Sequence, residues 1–517
     1  MSVITIDGHT LALEDVRRVA QEGVAVEVAP AVRPVIQRAR DYVEDIITTG
    51  RVVYGITTGF GKFSDVTIAG EDVLQLQRNL ILSHCCGVGE PIDQEKTRAL
   101  MLLRANVLAK GHSGARYVVL ETLVEMLNNG VHPVIPSRGS VGASGDLAPL
   151  AHLTAVMIGE GEAVYQGRRS TGAEAMAAAG IQPIELQAKE GLALINGTQF
   201  MTGIGILTLF KAETLAKTAD IAGAMTLEAL RGTDAAYLAL THEVRPHPGQ
   251  LATAANLRRL LAHSEILASH ADPAGDHKVQ DAYSLRCMPQ VHGTAKDALG
   301  YVRRVLEIEA NSATDNPLVF PDADLIISGG NFHGQPVSQA MDFLSIALTH
   351  TAGISERRVE YMLDPATSEH LPAFLTKKGG LNSGLMIAQV TAAALVSENK
   401  TLAHPASVDS IPTSANKEDY VSMGAYAARK ADDVAQNALM VLAVELLCAA
   451  QALEFGQGLR PGRGVEAAYD VVRSKVAPLE EDRMQTPDME AIAALILDGS
   501  LVSAVEEAVG GLEVLGS

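Results

Sequence analysis

Apolar residues recur at steps of three and four along most of the chain, which is the spacing of one face of an α-helix. In residues 95–128 the repeat includes Leu100 and Leu103, and the Asn129-Gly130 pair that follows predicts a helix end. Comparable patterns run through 199–231, 293–313, 335–362 and 418–455. The sequence therefore predicts a mainly α fold built from long helices.

Helices this long and apolar need partner helices on several sides, so we expect a large long-helix bundle. Aromatic residues make up only 4% of the chain, which favours close helix packing. Signals for β-strands are few. Ile4–Ile6 and Leu11–Leu13 flank an Asp-Gly pair that suits a tight turn, and this pattern predicts a small N-terminal hairpin.

No low-complexity linker or fixed-period repeat divides the chain, so we expect a single large helical unit over residues 1–517. Its pattern indicates three approximate parts, namely an N-terminal part (1–200), a central helical bundle (201–460) and a peripheral helical cap (461–517). The stretch 271–279 is a candidate mobile loop. Glycine-rich connections, where function is often carried, lie at 55–61, 87–89, 139–145, 328–334 and 379–384.

The charge balance limits the class of partner. There are 61 acidic and 41 basic residues, so the formal net charge is -20. Nucleic acids and anionic membranes bind basic patches, and we expect neither as a partner. The apolar stretch 438–450 contains Glu445 and is shorter than the roughly 20 residues that a membrane helix needs. Because no signal-peptide pattern opens the chain, we expect a cytoplasmic protein.

Cysteine and histidine spacing does not predict a metal site. Cys85 and Cys86 are adjacent and the other two cysteines are distant, so neither a disulfide framework nor paired metal-ligand spacing is present. The function of the adjacent pair stays open. The chain has 15 histidines but no HExxH motif. Four of them are expected to be core or surface residues rather than ligands: His152, His263, His333 and His404.

The segment 136–149 (PSRGSVGASGDLAP) has three interpretations. It is consistent with a glycine-rich turn ahead of a helix. A phosphate-binding loop is disfavoured because no GK[ST] follows and Asp146 would repel phosphate at that helix start. In the third interpretation, the amide nitrogen of Gly145 attacks the carbonyl of Ala143, and loss of two waters, one of them from Ser144, leaves a ring with an exocyclic methylidene. That group is an electrophile that no ordinary side chain provides.

Here the chain resembles a known family. The string GSVGASGDLAPLAH (139–152) is similar to the signature of the aromatic amino-acid ammonia-lyases and aminomutases, which form methylidene-imidazolone from Ala-Ser-Gly. The resemblance covers nearly the whole chain and is weakest after about residue 460. Further strings resemble family motifs in the same order: 53–61, 76–80, 83–84, 196–199, 280–286, 315–317, 331–333 and 414–423.

The resemblance implies a fumarase/aspartase-like helical fold, assembled as a homotetramer with active sites shared between subunits. It implies an amino-acid substrate and a methylidene-imidazolone (MIO) prosthetic group made from Ala143, Ser144 and Gly145, with no external cofactor and no metal. The group would belong to the N-terminal part (1–200).

The family motifs also imply roles for residues that act on the substrate backbone. Tyr54 is the expected base for the weakly acidic β-proton, on a loop expected to close over the site. Arg286 is expected to bind the substrate carboxylate with two donors. On the same motif, Tyr283 resembles a proton-handling position and Gln280 a substrate-orienting one.

Other matched positions are expected to shape the pocket. Asn196 resembles the residue that hydrogen-bonds near the prosthetic group and the carboxylate. Phe332 resembles the aromatic wall beside the substrate ring, although an ordinary core residue is the alternative. His84, within Ser83-His84, resembles the pair in family members that act on histidine or tyrosine, and it indicates a polar aromatic ring.

Glu418 discriminates between these substrates. It stands where histidine-specific members carry Glu and other members tend to carry Gln or Asn. A carboxylate complements an imidazole N–H, whereas beside a phenyl ring it would be desolvated without gain. Some interpretations also make this residue a catalytic base. The resemblance therefore implies ammonia elimination from L-histidine to trans-urocanate, the first step of histidine degradation.

Three alternatives remain. A tyrosine ammonia-lyase or tyrosine 2,3-aminomutase would share the fold, the prosthetic group and His84. A fumarase-type lyase without the group is disfavoured because Met288-Pro289 stands without the expected SSxMPxKxN string. A non-catalytic helical scaffold is disfavoured because Tyr54, Ser144 and Arg286 are all intact.

Overall fold

The computed structural model describes residues 3–59, 61–63, 65–66, 68, 72–271, 279–456 and 458–514. The candidate mobile loop at 271–279 lies, apart from its two end residues, outside the described residues.

Helices account for 61% of the chain, as the apolar periodicity predicts. Numbered in chain order, the α-helices are α1 (Leu13–Arg17), α2 (Val32–Thr49), α3 (Val73–His84), α4 (Gln94–Ala109), α5 (Tyr117–Asn129), α6 (Leu147–Met157), α7 (Gly172–Ala178), α8 (Glu190–Ile195), α9 (Gln199–Ala229), α10 (Ala239–Glu243), α11 (Pro248–Leu260), α12 (Glu265–Ala268), α13 (Tyr283–Arg286), α14 (Met288–Ala310), α15 (Gln335–Leu363), α16 (Pro365–Ser368), α17 (Met386–Leu402), α18 (Gly424–Leu453), α19 (Arg463–Arg473), α20 (Thr486–Leu497) and α21 (Ser500–Val509).

The chain divides into two compact units, each assembled from separate stretches of sequence. Unit 1 comprises Met1–Leu207, Arg303–Asp342 and Pro405–Arg429. Unit 2 comprises Thr208–Val302, Phe343–His404 and Lys430–Ser517. The boundaries fall inside long helices, because α9, α14, α15 and α18 each contribute residues to both units. The predicted organisation into three consecutive parts stays a prediction.

The long apolar patterns correspond to helices, with one interruption. The pattern over 95–128 is divided between α4 and α5, and Gly111 and Gly114 between them have φ of +78° and +67°. A Cβ on Gly114 would lie 2.7 Å from Cγ2 of Val43, so the chain there passes too close to α2 for a side chain. The predicted helix end is confirmed, since α5 stops at Asn129 and Gly130 follows in the left-handed region.

The predicted N-terminal hairpin is wrong. Ile4–Ile6 does form a strand, β1, but it pairs in parallel with Val26–Val28 (β2). Leu11–Leu13 forms no strand, because the Asp7 carboxylate accepts the N–H groups two and three residues later, at 2.7 and 2.9 Å. That local turn redirects the chain into α1 instead of a return strand.

The other strands are short and, among the described residues, all belong to unit 1. The antiparallel pairs comprise β3 (Val88–Pro91) with β5 (Pro136–Arg138), β4 (His132–Pro133) with β6 (Glu162–Tyr165), β6 with β7 (Arg168–Thr171), and β8 (Leu318–Phe320) with β9 (Leu325–Ile327). One apolar cluster of this unit joins α2 to β8 through Val43, Ile46 and Val319, all fully buried.

Unit 2 consists of helices among its described residues, and the predicted helical cap corresponds to α19, α20 and α21. α18 is long and apolar enough to span a membrane by length and composition, but 78% of its apolar window is buried inside the protein. Glu445 of this helix is itself buried and paired with Arg358. These are the properties of a core helix.

Candidate active site

The glycine loop (residues 139–145) connects β5 to α6 in unit 1. Gly142 and Gly145 have φ of +65° and +74°, which glycine adopts without steric cost. A Cβ on Gly145 would lie 2.2 Å from the carbonyl oxygen of Gly197, so no side chain fits there. The N–H of Asp146 donates to the same carbonyl at 2.7 Å. The end of the loop is therefore held tightly against the backbone at Gly197.

A second anchor holds the middle of the glycine loop. Met423 donates its N–H to the carbonyl of Val141 at 2.8 Å. The hydroxyl of Ser422 donates to the carbonyl of Gly142 at 2.9 Å, and Ser422 is fully buried. Ser338 in turn donates to the carbonyl of Ser422 at 2.6 Å. The backbone on both sides of the Ala-Ser-Gly triplet is thus held by contacts from distant parts of the sequence.

Asp146 supports the glycine loop through hydrogen bonds of its carboxylate. The sequence did not predict this role. Its carboxylate accepts from the N–H of Met201 at 3.0 Å and from the hydroxyl of Ser140 at 3.2 Å. Complete burial outweighs these bonds and raises its pKa to about 7. The available signal is an acid directly ahead of an apolar helix, a position where the sequence by itself predicts only repulsion of phosphate.

A cavity of about 580 Å³ in unit 1 brings together five of the predicted site residues: Tyr54, His84, Ser144, Asn196 and Glu418. Much of the remaining wall is apolar and includes Leu76, Leu80, Leu147, Leu192 and Ile195. A concave, largely apolar space with a few convergent polar groups is the usual form of a small-molecule site.

Glu418 lies at the cavity wall beside the Ala-Ser-Gly triplet. Its Oε1 accepts from the hydroxyl of Ser144 at 2.7 Å. Its Oε2 accepts from the hydroxyls of Thr413 and Ser414, at 2.6 and 2.8 Å. The carboxylate is therefore oriented by hydroxyl groups, and one of these belongs to the central residue of the triplet.

His84 lies at the C-terminal end of α3 and also lines the cavity. Its Nδ1 is 2.8 Å from the carbonyl oxygen of Leu80, and because a carbonyl only accepts, Nδ1 carries the hydrogen. Burial lowers the pKa of the imidazole, while the nearby charge of Glu418 acts in the opposite direction. In the neutral ring Nε2 is then an acceptor for a donor in the cavity.

Tyr54 belongs to a loop that folds back on itself. The N–H of Ile68 donates to the carbonyl of Thr57 at 3.1 Å. The phenol oxygen of Tyr54 accepts from the N–H of Gly61 at 3.4 Å. Phe60, in the same motif, lies outside the described residues. The predicted closure of this loop over the site stays a prediction.

Asn196 follows α8 and is almost fully buried. Its Nδ2 donates to the carbonyl of Asn316 at 2.8 Å. Its backbone carbonyl accepts from the guanidinium of Arg104, a fully buried group whose pKa burial lowers to about 10. The backbone of Asn196 is therefore held by Arg104 and its side chain by the Asn316 carbonyl.

Six predicted residues are not among those that line the cavity, and two of these, Ala143 and Gly145, are the neighbours of Ser144 in the triplet. Phe332 is half-buried in a turn ahead of α15 in unit 1. Gln280, Tyr283 and Arg286 belong to unit 2, where Tyr283 is 71% exposed. The guanidinium carbon of Arg286 lies 4.5 Å from the centre of the Tyr283 ring, and its Nε has no hydrogen-bond partner among the described residues.

The described residues contain no group of three or more His, Cys, Asp or Glu side chains arranged to hold a metal ion. The expected independence from metal stays a prediction. The cavity is lined by the Glu418 carboxylate, the His84 imidazole, the Tyr54 phenol and the Ser144 hydroxyl, which together can orient a polar ring and move a proton. Its other polar groups are the Lys62 ammonium, the hydroxyls of Ser83 and Ser414, and the amides of Asn79 and Asn196.

The chain is similar to known enzymes over almost all of its length. A model of the family described as aromatic amino acid lyase matches residues 11–474. Histidine ammonia-lyase from Alkaliphilus oremlandii is 56% identical over 509 residues, which cover 98% of this chain and 99% of that protein. Histidine ammonia-lyase from Myxococcus xanthus is 55% identical over 505 residues, with the same shares covered.

Solved structures are similar in fold as well. Histidine ammonia-lyase from Trypanosoma cruzi superposes with a TM-score of 0.91 at 42% identity, covering 98% of this chain and 96% of that chain. Tyrosine aminomutase from Streptomyces globisporus gives a TM-score of 0.93 at 41% identity, covering 99% and 100%. These similarities confirm the predicted mainly α fold and the resemblance seen in the motifs. The chain belongs to the aromatic amino acid lyase family.

Proposed function

We propose that this carbon–nitrogen lyase eliminates ammonia from L-histidine to give trans-urocanate, as the first step of histidine degradation. The observation that carries the proposal is the Glu418 carboxylate, which lies in one cavity with the His84 imidazole and the Ser144 hydroxyl. Relatives named histidine ammonia-lyase, 55–56% identical over 98% of the chain, support the same substrate.

The proposed electrophile is a methylidene-imidazolone formed by the chain's own Ala143, Ser144 and Gly145. The residues fit this group, because Gly145 sits where no Cβ is tolerated and its N–H has no acceptor among the described residues. When formed, the group supplies an electrophilic methylidene that makes the substrate nitrogen a better leaving group. We propose no external cofactor and no metal.

His84 and Glu418 are proposed to recognise the imidazole of the substrate. A neutral imidazole offers one N–H donor and its cation offers two, whereas a phenyl ring offers none. His84 provides the Nε2 acceptor. Glu418 provides a charged acceptor, and loss of the Ser144 hydroxyl on maturation would free its Oε1 for the substrate. A charged acceptor facing an apolar ring would be desolvated without compensation.

Tyr54 is proposed to remove the β-proton of the substrate, and Glu418 is the second candidate for that base. The β C–H bond breaks, a carbon–carbon double bond forms, and the α C–N bond releases ammonia. Only the phenolate form of Tyr54 can take this proton, so the phenol must first release its own proton to solvent. Its oxygen lines the cavity and accepts one long hydrogen bond, which leaves it room to approach the substrate.

The substrate carboxylate is proposed to bind Arg286, with Asn196 near it, while Tyr283 and Gln280 handle the proton and orient the substrate and Phe332 packs on the ring. The Arg286 Nε, which has no partner among the described residues, and the exposed Tyr283 ring support a contact with a substrate or with another subunit. We propose that a cytoplasmic homotetramer shares each active site between subunits.

The substrate argument is tested by a Glu418→Gln variant. Gln keeps the shape but loses the charge, so turnover of L-histidine should fall by about 100-fold, the range expected for a charged hydrogen-bond partner. Glu454→Gln is the matched control, because Glu454 accepts from Tyr469 and Arg473 in unit 2 and not from a predicted site residue. Unchanged histidine turnover in Glu418→Gln, or product from L-tyrosine alone in the parent, contradicts the proposal.

A further inference from the structure

α13, the helix that carries Tyr283 and Arg286, has four residues and cannot be stable by itself. One side of it presents the exposed Tyr283 ring with the Arg286 guanidinium stacked on it. The orientation of both side chains therefore depends on the contacts that hold the opposite side of the helix.

Two fully buried side chains of unit 2 hold α13 by its carbonyl groups. The phenol of Tyr237 donates to the carbonyl of Leu285 at 2.9 Å. The Nη1 of Arg358 donates to the carbonyl of Ser284 at 3.3 Å. Both donors are completely shielded from solvent, so water cannot replace either bond.

Asp281, two residues before α13, is anchored in the same region. The carboxylate of Asp281 accepts from the N–H of Thr233 at 2.7 Å. Thr233 and Tyr237 lie on one short stretch of chain after α9. The segment is thus held before α13 by the backbone N–H of Thr233, and within α13 by the side chains of Tyr237 and Arg358.

Arg358 is itself immobilised by Glu445. Its Nε and Nη2 donate to Oε1 and Oε2 of that carboxylate at 2.6 and 2.8 Å, with both side chains fully buried. The hydroxyls of Thr226 and Ser355 occupy the remaining acceptor sites of Glu445, at 2.8 and 2.6 Å. This two-point pairing leaves Nη1 directed at the Ser284 carbonyl.

A histidine completes the surroundings of Nη1. The Nε2 of His292 lies 3.3 Å from Nη1 of Arg358, and its Nδ1 lies 2.8 Å from Oδ1 of Asp220. Burial lowers the pKa of His292, so the neutral ring donates to Asp220 and accepts from Arg358. Lys296 balances the charge of Asp220 at 2.5 Å.

We propose that Tyr237 and Arg358 are positioning residues for the elimination, because they set the orientation of α13 and hence of Tyr283 and Arg286. The inference rests on the proposed function, in which these two side chains meet the substrate. Catalytic geometry is sensitive to small errors, since a displacement of about 1 Å can lower a rate by about 100-fold. A residue that served only stability would leave the kinetic constants unchanged.

The mildest test is Tyr237→Phe, which removes one hydroxyl and preserves the ring. We expect kcat/KM for L-histidine to fall by about tenfold, the effect of one buried hydrogen bond. Tyr469→Phe is the control, because it also removes a phenol hydrogen bond in unit 2, a part-buried one to Glu454 at 2.6 Å, and Tyr469 makes no hydrogen bond to α13. The control should keep kcat/KM within about twofold of the parent.

A double-mutant cycle separates positioning from stability. In an Arg286→Ala background the Tyr237→Phe change should cost only about threefold or less, because one of the two groups it displaces is absent. Equal losses in both backgrounds, or no loss in the parent background, would overturn the inference. Arg358→Lys keeps the charge, but its single ammonium group cannot replace the separate bonds of the guanidinium to Glu445 and to the Ser284 carbonyl. If this variant folds, its kcat/KM should fall as in Tyr237→Phe.

Amide hydrogen exchange provides a readout that does not need turnover. The N–H groups of Leu285, Arg286 and Cys287 bond within α13, and they should exchange about tenfold faster in Tyr237→Phe but not in Tyr469→Phe. Unchanged exchange there overturns the inference. If the parent protein does not turn over L-histidine, the proposed function is refuted. The amide exchange rates would still show whether Tyr237 holds α13 in place.

Discussion

The glycine loop of unit 1 and the α13 segment of unit 2 both carry residues of the proposed reaction, but they are held in different ways. In the glycine loop the backbone itself is in close contact with other parts of the chain. Gly145 packs against the backbone of Gly197, and the carbonyl of Gly142 accepts a hydrogen bond from the Ser422 hydroxyl. In α13 the backbone is ordinary helix and its carbonyls are held by buried side chains, Tyr237 and Arg358.

The difference follows from what each region supplies. The Ala-Ser-Gly triplet has to bring one backbone group onto another, so its constraints act on backbone and admit only glycine at two positions. Tyr283 and Arg286 supply side chains, so it is enough that the short helix carrying them is held rigidly. A substitution in the glycine loop should therefore lower both activity and stability. A substitution of the Tyr283 or Arg286 side chain should lower activity with little effect on stability.

The largest effect is expected from Ser144→Ala. Without the hydroxyl the triplet cannot lose its second water, and turnover should fall by at least about 1,000-fold. Intact mass gives an independent reading, since the parent should be lighter than its sequence by two waters and the variant should not. A parent of unmodified mass would favour the non-catalytic scaffold.

Gly145→Ala should combine loss of activity with loss of stability. The new Cβ would lie 2.2 Å from the Gly197 carbonyl oxygen, at a φ of +74°. Gly180→Ala is a matched control, because Gly180 has the same φ of +74° with nothing within 4 Å. We expect the control to cost about 1 kcal/mol of the free energy of unfolding and Gly145→Ala about 2 to 4 kcal/mol. Equal shifts in the two melting curves would show that close packing at Gly145 is unimportant.

Arg286→Ala should separate activity from stability. Loss of a charged partner for the substrate carboxylate should raise KM by about 10- to 100-fold. The free energy of unfolding should change by less than about 1 kcal/mol, because the lost stacking on the exposed Tyr283 ring is offset by removal of a buried Nε that bonds to no described residue. Arg473→Ala makes the converse control, since Arg473 is paired with Glu454 at 3.0 Å and should affect melting but not KM. A large drop in stability for Arg286→Ala would instead show that this side chain also supports the fold.

The smallest effect is a pH dependence that the two units share. Burial raises the pKa of Asp146 in unit 1 and of Glu228 in unit 2 to about 7, above the values of 3.8 and 4.5 for unfolded chains. The folded state therefore binds protons more tightly, and this stabilisation is fully present below the unfolded pKa and lost as pH rises through about 7.

Denaturation of the parent, Asp146→Asn and Glu228→Gln at pH 6 and pH 8 measures this contribution. Between these pH values the parent should lose about 1 kcal/mol more than either variant. Glu228 accepts from the N–H of Gly462 and contacts no predicted site residue, so its variant should retain kcat/KM. Identical pH dependence in all three proteins would rule out the raised pKa values.

Features coded by local spacing were predictable from the sequence. The long helices, the end of α5 and the position of the Ala-Ser-Gly triplet all follow from short-range pattern or from one continuous motif. The hairpin prediction failed because the Asp7 carboxylate satisfies neighbouring N–H groups, a side-chain effect that alternation of apolar residues does not encode.

Features that depend on tertiary contact were not predictable. The bond between Ser144 and Glu418 joins residues 274 positions apart, although each had been singled out by motif. Asp146 acquires its raised pKa only through burial. Tyr237 and Arg358 carry no motif at all, and only their bonds to α13 distinguish them from other core residues.

The most direct test of the central claim is a substrate comparison with the unmodified sequence. The purified chain would be incubated separately with L-histidine, L-tyrosine and L-phenylalanine, and the products followed by absorbance and mass. The account predicts trans-urocanate and an equal amount of ammonia from L-histidine, with little or no product from the other two. Product from L-tyrosine alone, or a β-amino acid in place of an elimination product, would contradict it.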